Sequence, residues 1–199
     1  MKKHLLLFLF ICYFVGAQAQ KFKGGLFVGI AASQISGDQL SGFNKPGLFA
    51  GAFTNFFFKE KYGLQLELYY IQKGSRKVAK NGNKDTYKLN LQYMEMPILF
   101  KWQIVKRFYI EVGPAVGVLM KNTGVEKDYG GVYTAPDRPV FNRFDYSIVG
   151  GLGVNLSMHF KVNLRGESSF VPVRKPDFSW RLDRWQYNSS VLLSLIYEI

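Results

Sequence analysis

Apolar and polar positions alternate with a period of two over most of the chain, most clearly from Leu89 to Met120. Met94, Met96, Ile98, Phe100 and Trp102 share one face of a first segment. Leu91, Tyr93, Glu95, Pro97, Leu99 and Lys101 share the other. After a tight turn near Gln103–Lys106, Phe108, Ile110, Val112, Val116, Val118 and Met120 alternate with Arg107, Tyr109, Glu111, Gly113, Ala115 and Gly117. Such a period belongs to β-strands with two unlike faces, here longer than the usual strand. The same reading predicts eight strands, at about 22–32, 47–57, 63–73, 88–101, 107–120, 143–156, 160–171 and 187–198. The connections Phe58–Tyr62, Trp102–Lys106 and Ser157–His159 are short. Ser33–Pro46, Gly74–Tyr87, Lys121–Asn142 and Pro172–Gln186 are long and rich in Gly, Asn, Lys, Asp and Pro.

Short turns at one end and long loops at the other are the habit of outer-membrane barrels. The expected fold is therefore all-β: an eight-stranded antiparallel up-and-down transmembrane β-barrel, with both termini at the short-turn, periplasmic end. Alternation alone does not say which face is inside, but three features do. The polar face is small at Gly113, Ala115, Gly117, Gly151 and Gly153, as a narrow lumen requires. It carries charges of both signs. The apolar stripes end in aromatics, with Phe56, Phe100, Trp102, Phe108, Phe160 and Tyr197 near the short turns and Tyr70, Phe144, Phe170, Trp185 and Tyr187 near the long loops. These are candidate interfacial girdles. The alternative is a soluble lipocalin-like barrel that binds a small ligand, in which the apolar stripes line a cavity. Pro97 and Pro114 fall within strands, where proline removes a ladder donor. A β-bulge at each, or a local break in the hairpin, would accommodate them.

The first 19 residues read as a cleaved signal peptide: a basic start (Met1-Lys2-Lys3-His4), an apolar run from Leu5 to Gly16, and the small-x-small site Ala17-Gln18-Ala19. The barrel domain is then 20–199. Cys12 leaves with the signal, so disulfide and thiol chemistry are not expected. No later apolar run is long enough for a transmembrane helix.

Candidate chemistry is sparse. His4 goes with the signal, and His159 sits alone in a tight turn. No metal, cofactor or catalytic residue is expected, since a zinc site, a carboxylate–His pair or a Ser–His pair has no set of residues to build it. Gly150-Gly151-Leu152-Gly153 lies within a strand and leads into no helix, so it is no phosphate loop. What remains is charge. Lys23, Glu67, Glu95, Lys101, Glu111, Asp145, Lys161, Arg165, Glu167 and Glu198 all fall on the inward face. They form either a conductive or proton-relaying lumen or a plug of ion pairs, and a barrel this narrow favours the plug. Arg165 is the expected hub at mid-height, paired with at least one of Glu67, Glu95 and Glu111. The formal net charge is +12, or about +10 without Lys2 and Lys3. Much of the excess lies in two long loops, with Lys73, Arg76, Lys77, Lys80, Lys84 and Lys88 in one and Arg174, Lys175, Arg181 and Arg184 in the other. Arg76, Lys77, Lys80 and Lys84 are candidate contacts for phosphates of an outer-leaflet glycolipid. Nucleic acid is not an expected partner in this compartment.

Several segments resemble the PorT family of outer-membrane β-barrel proteins, common in Bacteroidetes. They include the Gly16-Ala17-Gln18-Ala19-Gln20 junction, Lys45-Pro46-Gly47-Leu48-Phe49-Ala50-Gly51 and the strand Leu64-Gln65-Leu66-Glu67-Leu68-Tyr69-Tyr70-Ile71-Gln72-Lys73-Gly74. Leu91-Gln92-Tyr93-Met94-Glu95-Met96-Pro97-Ile98-Leu99, Tyr109-Ile110-Glu111-Val112-Gly113-Pro114 and Asp145-Tyr146-Ser147-Ile148-Val149-Gly150-Gly151-Leu152-Gly153 follow its patterns as well. The resemblance implies the cell outer membrane of a Gram-negative bacterium, a lipid-bilayer setting and handling by the barrel-assembly machinery. It makes Pro97 and Pro114 family features. For function it implies less: a non-enzymatic structural or surface-interaction barrel, or an accessory part of a secretion apparatus with a protein partner. The last residues, Tyr197-Glu198-Ile199, lack the terminal Phe of many proteobacterial barrels.

Overall fold

The computed structural model describes residues 22–38, 42–76, 87–128, 131–133, 140–176 and 185–199. The signal-peptide expectation lies outside them. In chain order the strands are β1 (Phe22–Ser36), β2 (Lys45–Lys59), β3 (Tyr62–Arg76), β4 (Tyr87–Val105), β5 (Phe108–Asp128), β6 (Gly131–Tyr133), β7 (Phe144–Asn155), β8 (Phe160–Ser169) and β9 (Tyr187–Glu198). Eight of them close a barrel in the order β1-β2-β3-β4-β5-β7-β8-β9, and β9 pairs back onto β1 from Gly25↔Glu198 to Ser36↔Tyr187. Every pairing is antiparallel, and the closing β9–β1 pairing leaves no long strand an open edge. The short β6, which the sequence pattern did not reveal, only extends β5, from Glu126↔Tyr133 to Asp128↔Gly131.

The short turns are closed by their own side chains. Gln103 Nε2 donates to the Val105 carbonyl at 2.7 Å, beside a register shift between Gln103 and Val105. Ser157 Oγ accepts from the backbone N–H of His159 (3.3 Å) and Phe160 (3.1 Å), the hydroxyl standing in for a turn carbonyl. Asn155 Nδ2 donates to the Lys106 carbonyl at 2.9 Å, tying two neighbouring turns together.

The apolar stripes face outward. Leu26 (59 %), Leu68 (54 %), Leu152 (63 %) and Leu164 (52 %) are exposed although each sits mid-strand. An apolar surface this continuous cannot face water in a stable monomer. The stripes of a lipocalin-like barrel would point inward; here they form a membrane-facing band. Near the short turns Phe22–Phe56, Phe58–Phe100, Tyr62–Trp102 and Phe160–Tyr197 are ring contacts at 5.1, 6.5, 6.1 and 5.3 Å. At the loop end Phe144, Tyr146, Phe170 and Trp185 are exposed.

One expectation needs correction. The inward face is not uniformly small and polar: Phe27, Phe49, Phe53 and Tyr69 fill the β1–β3 side of the lumen. There is room because large side chains lie over glycines of the neighbouring strand. A Cβ at Gly29 would stand 2.4 Å from the Phe49 ring, and one at Gly51 2.4 Å from Tyr69 Cβ. At the prolines, of the two accommodations open to the sequence, the structure has the local break and not the bulge. β4 pairs with β5 through Pro97↔Ala115 and again through Phe100↔Val112 in one register, with shifts only between Gln92/Tyr93 and Gln103/Val105. Pairing lapses between Ile98–Leu99 and Gly113–Pro114, and on the other side of β4 between Leu66↔Ile98 and Tyr69↔Glu95. The ladder is locally broken rather than shifted.

Candidate functional site

The lumen is the one place where polar chemistry is concentrated among the described residues. Alternation along β3, β4, β5, β7 and β8 aims Glu67, Lys73, Glu95, Lys101, Glu111, Asp145, Lys161, Arg165 and Glu167 inward, all buried. They sort into levels from the short turns upward.

At the short-turn rim Glu198 is held by Lys161 in a close ion pair, by Asn55 Nδ2 at 3.2 Å and by Lys23 at 3.5 Å. The next level centres on Arg165, 2 % exposed. Its Nη1 and Nη2 donate to the two carboxylate oxygens of Glu67 at 2.7 and 2.6 Å, and its Nε donates to Glu111. A planar fork that stays charged is suited to joining two carboxylates. Asn163 Nδ2 donates to Glu111 at 2.6 Å. Lys101 donates to Gln65 Oε1 at 2.7 Å, lies 3.9 Å from Glu111 and sits 4.0 Å above the Tyr109 ring. Local sequence makes the hub possible. Gly151 is the cross-strand partner of both Glu111 and Arg165, and a Cβ there would meet Arg165 Cγ at 2.7 Å.

The upper level centres on Lys73, which the sequence reading placed in a basic loop. β3 runs on to Arg76, so Lys73 keeps the parity of Glu67, Tyr69 and Ile71 and points inward, 1 % exposed. Its Nζ donates to Glu167 at 2.6 Å, lies 2.6 Å from Glu95 as a charge contact and 3.7 Å from Asp145. Ser147 donates to Glu167 at 2.7 Å, while Ser169 and Asn188 donate to Asp145 at 2.6 and 2.7 Å. Glu95 thus belongs to Lys73, not to the Arg165 hub.

β3 and β8 are four strands apart in either direction around the barrel, hence diametrically opposite. Glu67 of β3 meets Arg165 of β8, and Lys73 of β3 meets Glu167 of β8. Two ties of reversed polarity therefore cross the lumen between the same pair of strands. Shifting β8 along its axis would bring neither cation to a new partner without breaking both ties.

Above them, at the loop end, the buried cluster continues. Val173 and Phe141 are buried, and the Arg174 guanidinium lies 4.6 Å over the Phe141 ring. Backbone bonds Asn142 N–H to Val173 O (2.8 Å) and Val173 N–H to Gln186 O (2.8 Å) carry the β7–β8–β9 side of the wall on beyond the strands. Of the candidate glycolipid contacts, Arg76 ends β3, while Lys77, Lys80 and Lys84 lie outside the described residues. His159 stacks on Tyr197 at 6.0 Å, at the short-turn end.

Comparison with solved structures supports the architecture. The attachment invasion locus protein Ail of Yersinia pestis aligns over 90 % of this chain and 99 % of its own, with TM-score 0.50 and 11 % identity. Neisserial surface protein A aligns over 87 % of this chain and 96 % of its own, with TM-score 0.54 and 8 % identity. At such identities the likeness is one of fold. Curated protein sequences give no match. The profile of the family described as outer membrane protein beta-barrel domain matches residues 17–174, most of the chain. By that match and by its outward apolar band, the chain belongs to the outer membrane protein beta-barrel domain family.

Proposed function

We propose that this protein is a closed, non-enzymatic barrel of the outer membrane whose working surfaces are its loops and its outer wall. The observation that carries this reading is the filled lumen. The Glu198 cluster, the Arg165 hub, the Lys73 hub and the buried Phe141, Val173 and Arg174 follow one another along the axis, beside a wall of aromatics. An eight-stranded interior is just wide enough to be filled by side chains, and this one is. Charges tied to each other on three levels are poor stepping stones for a solute, because each cation must leave a buried partner to serve a passing ion.

Both described chain ends lie at the short-turn side, which is the periplasmic side in this reading, and the excess of positive charge goes to the long-loop side. Ail has been crystallised with the heparin analogue sucrose octasulfate. An anionic partner at the loop side fits the basic composition here as well. A role beside a secretion apparatus rests on the PorT resemblance alone.

The direct test is conductance of the purified barrel in planar bilayers, together with a pull-down from detergent-solubilised membranes. The proposal predicts no stable unitary current. A reproducible open channel in the wild-type protein would overturn the closed-barrel reading, and a stoichiometric secretion partner would move the assignment to the accessory role.

A further inference from the structure

The outer wall carries a dent where the membrane-facing band meets the loop end. It is an open notch of about 680 Å³ lined by Ile30, Ala32, Pro46, Leu48, Val191 and Leu193, with Phe43 at its side and Asn44 and Gln72 as its polar groups. The dent arises because small Ala32 and the Pro46 ring face each other across β1–β2, with Ile30↔Leu48 as the next outward pair below them. It opens from the apolar band, so it is continuous with the lipid-facing surface.

Two cations stand above it. The β2–β3 register, Phe49↔Ile71, carried one step on puts Leu48 level with Gln72, and three steps on puts Pro46 near Gly74. Arg76 follows Gly74 by two residues, roughly 7 Å along the strand. Its cross-strand partner on β4 is Lys88, which is exposed. Buried Lys45, at the start of β2, is near enough to feel the charge of both Lys88 and Arg76. Along the same wall, Tyr70↔Met94 is the last apolar outward pair and Gln72↔Gln92 the first polar one. From the membrane outward the order is therefore apolar notch, amide neck, cation pair.

We infer that this notch and the Arg76–Lys88 pair form one binding site for a phosphorylated glycolipid of the outer leaflet, with an acyl chain in the notch and a phosphate on the cations. Continuity with the band assigns the notch to lipid. Charge complementarity assigns the head to an anion, since a cation pair at the membrane surface attracts lipid phosphate. The site deepens the outer-wall reading above and rests on it.

The test is native mass spectrometry of the barrel, released from detergent after incubation with diphosphoryl hexa-acyl lipid A, phosphatidylcholine or inorganic phosphate. The expected result is one retained lipid A and no retained phosphatidylcholine. Arg76→Gln with Lys88→Gln should reduce retention about tenfold, more at low salt. Ala32→Trp, which fills the notch from the lipid side, should reduce it about fivefold. Ala32→Leu serves if the Trp variant does not assemble, and heat modifiability on a gel confirms folding of each variant. Three results would overturn the site: equal retention of phosphatidylcholine, unchanged retention in folded variants, or displacement of the lipid by inorganic phosphate. A barrel dimer lost in Ala32→Trp would reassign the notch to a second copy and likewise overturn it. A barrel that retains no lipid yet stays closed in planar bilayers defeats this inference and leaves the closed-barrel reading intact.

Discussion

Replacing Arg165 with Met should remove the strongest tie across the lumen. Arg165 is 2 % exposed, and its guanidinium supplies three hydrogen bonds, two to Glu67 and one to Glu111. Met fills similar volume, so the loss is mainly of charge. Two carboxylates are stranded, and the nearest remaining cation, Lys101, lies 3.9 Å from Glu111 and is already committed to Gln65. Breaking a buried pair by removing one partner costs roughly 3–5 kcal/mol. With a urea dependence of about 2 kcal/mol per M, the unfolding midpoint should fall by roughly 1.5–2.5 M. The assay is urea unfolding of the barrel in lipid vesicles, followed by tryptophan fluorescence from both directions to establish equilibrium. Adding Glu67→Gln and Glu111→Gln to Arg165→Met should recover much of the loss, because replacing a whole buried ion cluster is often close to neutral. A wild-type midpoint for Arg165→Met would falsify the hub. A single mutant that falls as predicted, with no recovery in the triple mutant, would mean that packing rather than stranded charge is responsible.

Lys73→Met should cost about as much, roughly 3–5 kcal/mol, since it leaves Glu95, Asp145 and Glu167 together, and Glu167→Gln should restore part of it in the same urea assay. Gly151→Val places atoms where Arg165 Cγ and the Leu164 carbonyl already stand, 2.7 and 2.8 Å from the new Cβ. It should destabilise by about 1–3 kcal/mol, and less in an Arg165→Ala background if the clash is with that side chain. Leu68→Arg puts a charge mid-band on the lipid face and should cost roughly 2–4 kcal/mol in vesicles. No penalty there would mean that Leu68 does not meet hydrocarbon.

The barrel was legible because parity is a strict signal: one residue of slip would turn Glu67, Glu95, Glu111 and Arg165 into lipid. Height is legible separately: counted from the short turns, Glu67, Glu111 and Arg165 each lie about five residues into their strands, which puts them on one level. Lys73 was missed for a local reason. It precedes Gly74-Ser75, which read as the start of a loop, whereas β3 continues to Arg76 with Gly74 at φ 141°. The series 67, 69, 71, 73 was present and carried the answer. The aromatic side of the lumen was hidden because β1 and β2 are apolar on both faces, so hydrophobicity does not alternate there. Size does: Gly25, Gly29, Gly47 and Gly51 share the inward parity with Phe27, Phe49 and Phe53. The notch on the outer wall depends on which small residues become neighbours across strands, and that requires the register, which pattern alone leaves open. The glycolipid reading began with four loop cations, of which Arg76 alone lies among the described residues.

The central claim is that alternate residues of each strand meet lipid and a packed charged lumen. Cys12 is the only cysteine of the chain, so a Cys12→Ser background accepts single nitroxide labels. Labels at Leu64, Leu66, Leu68 and Tyr70 along β3, and for contrast at Gln65 and Ser75, can be measured in bilayers for collision with oxygen and with a water-soluble nickel chelate. The account predicts high oxygen and low nickel accessibility at the four even positions, with oxygen accessibility peaking near Leu66–Leu68. It predicts low accessibility to both reagents at Gln65 and Ser75. Nickel accessibility at Leu66 and Leu68, or a profile along β3 without alternation, would contradict it.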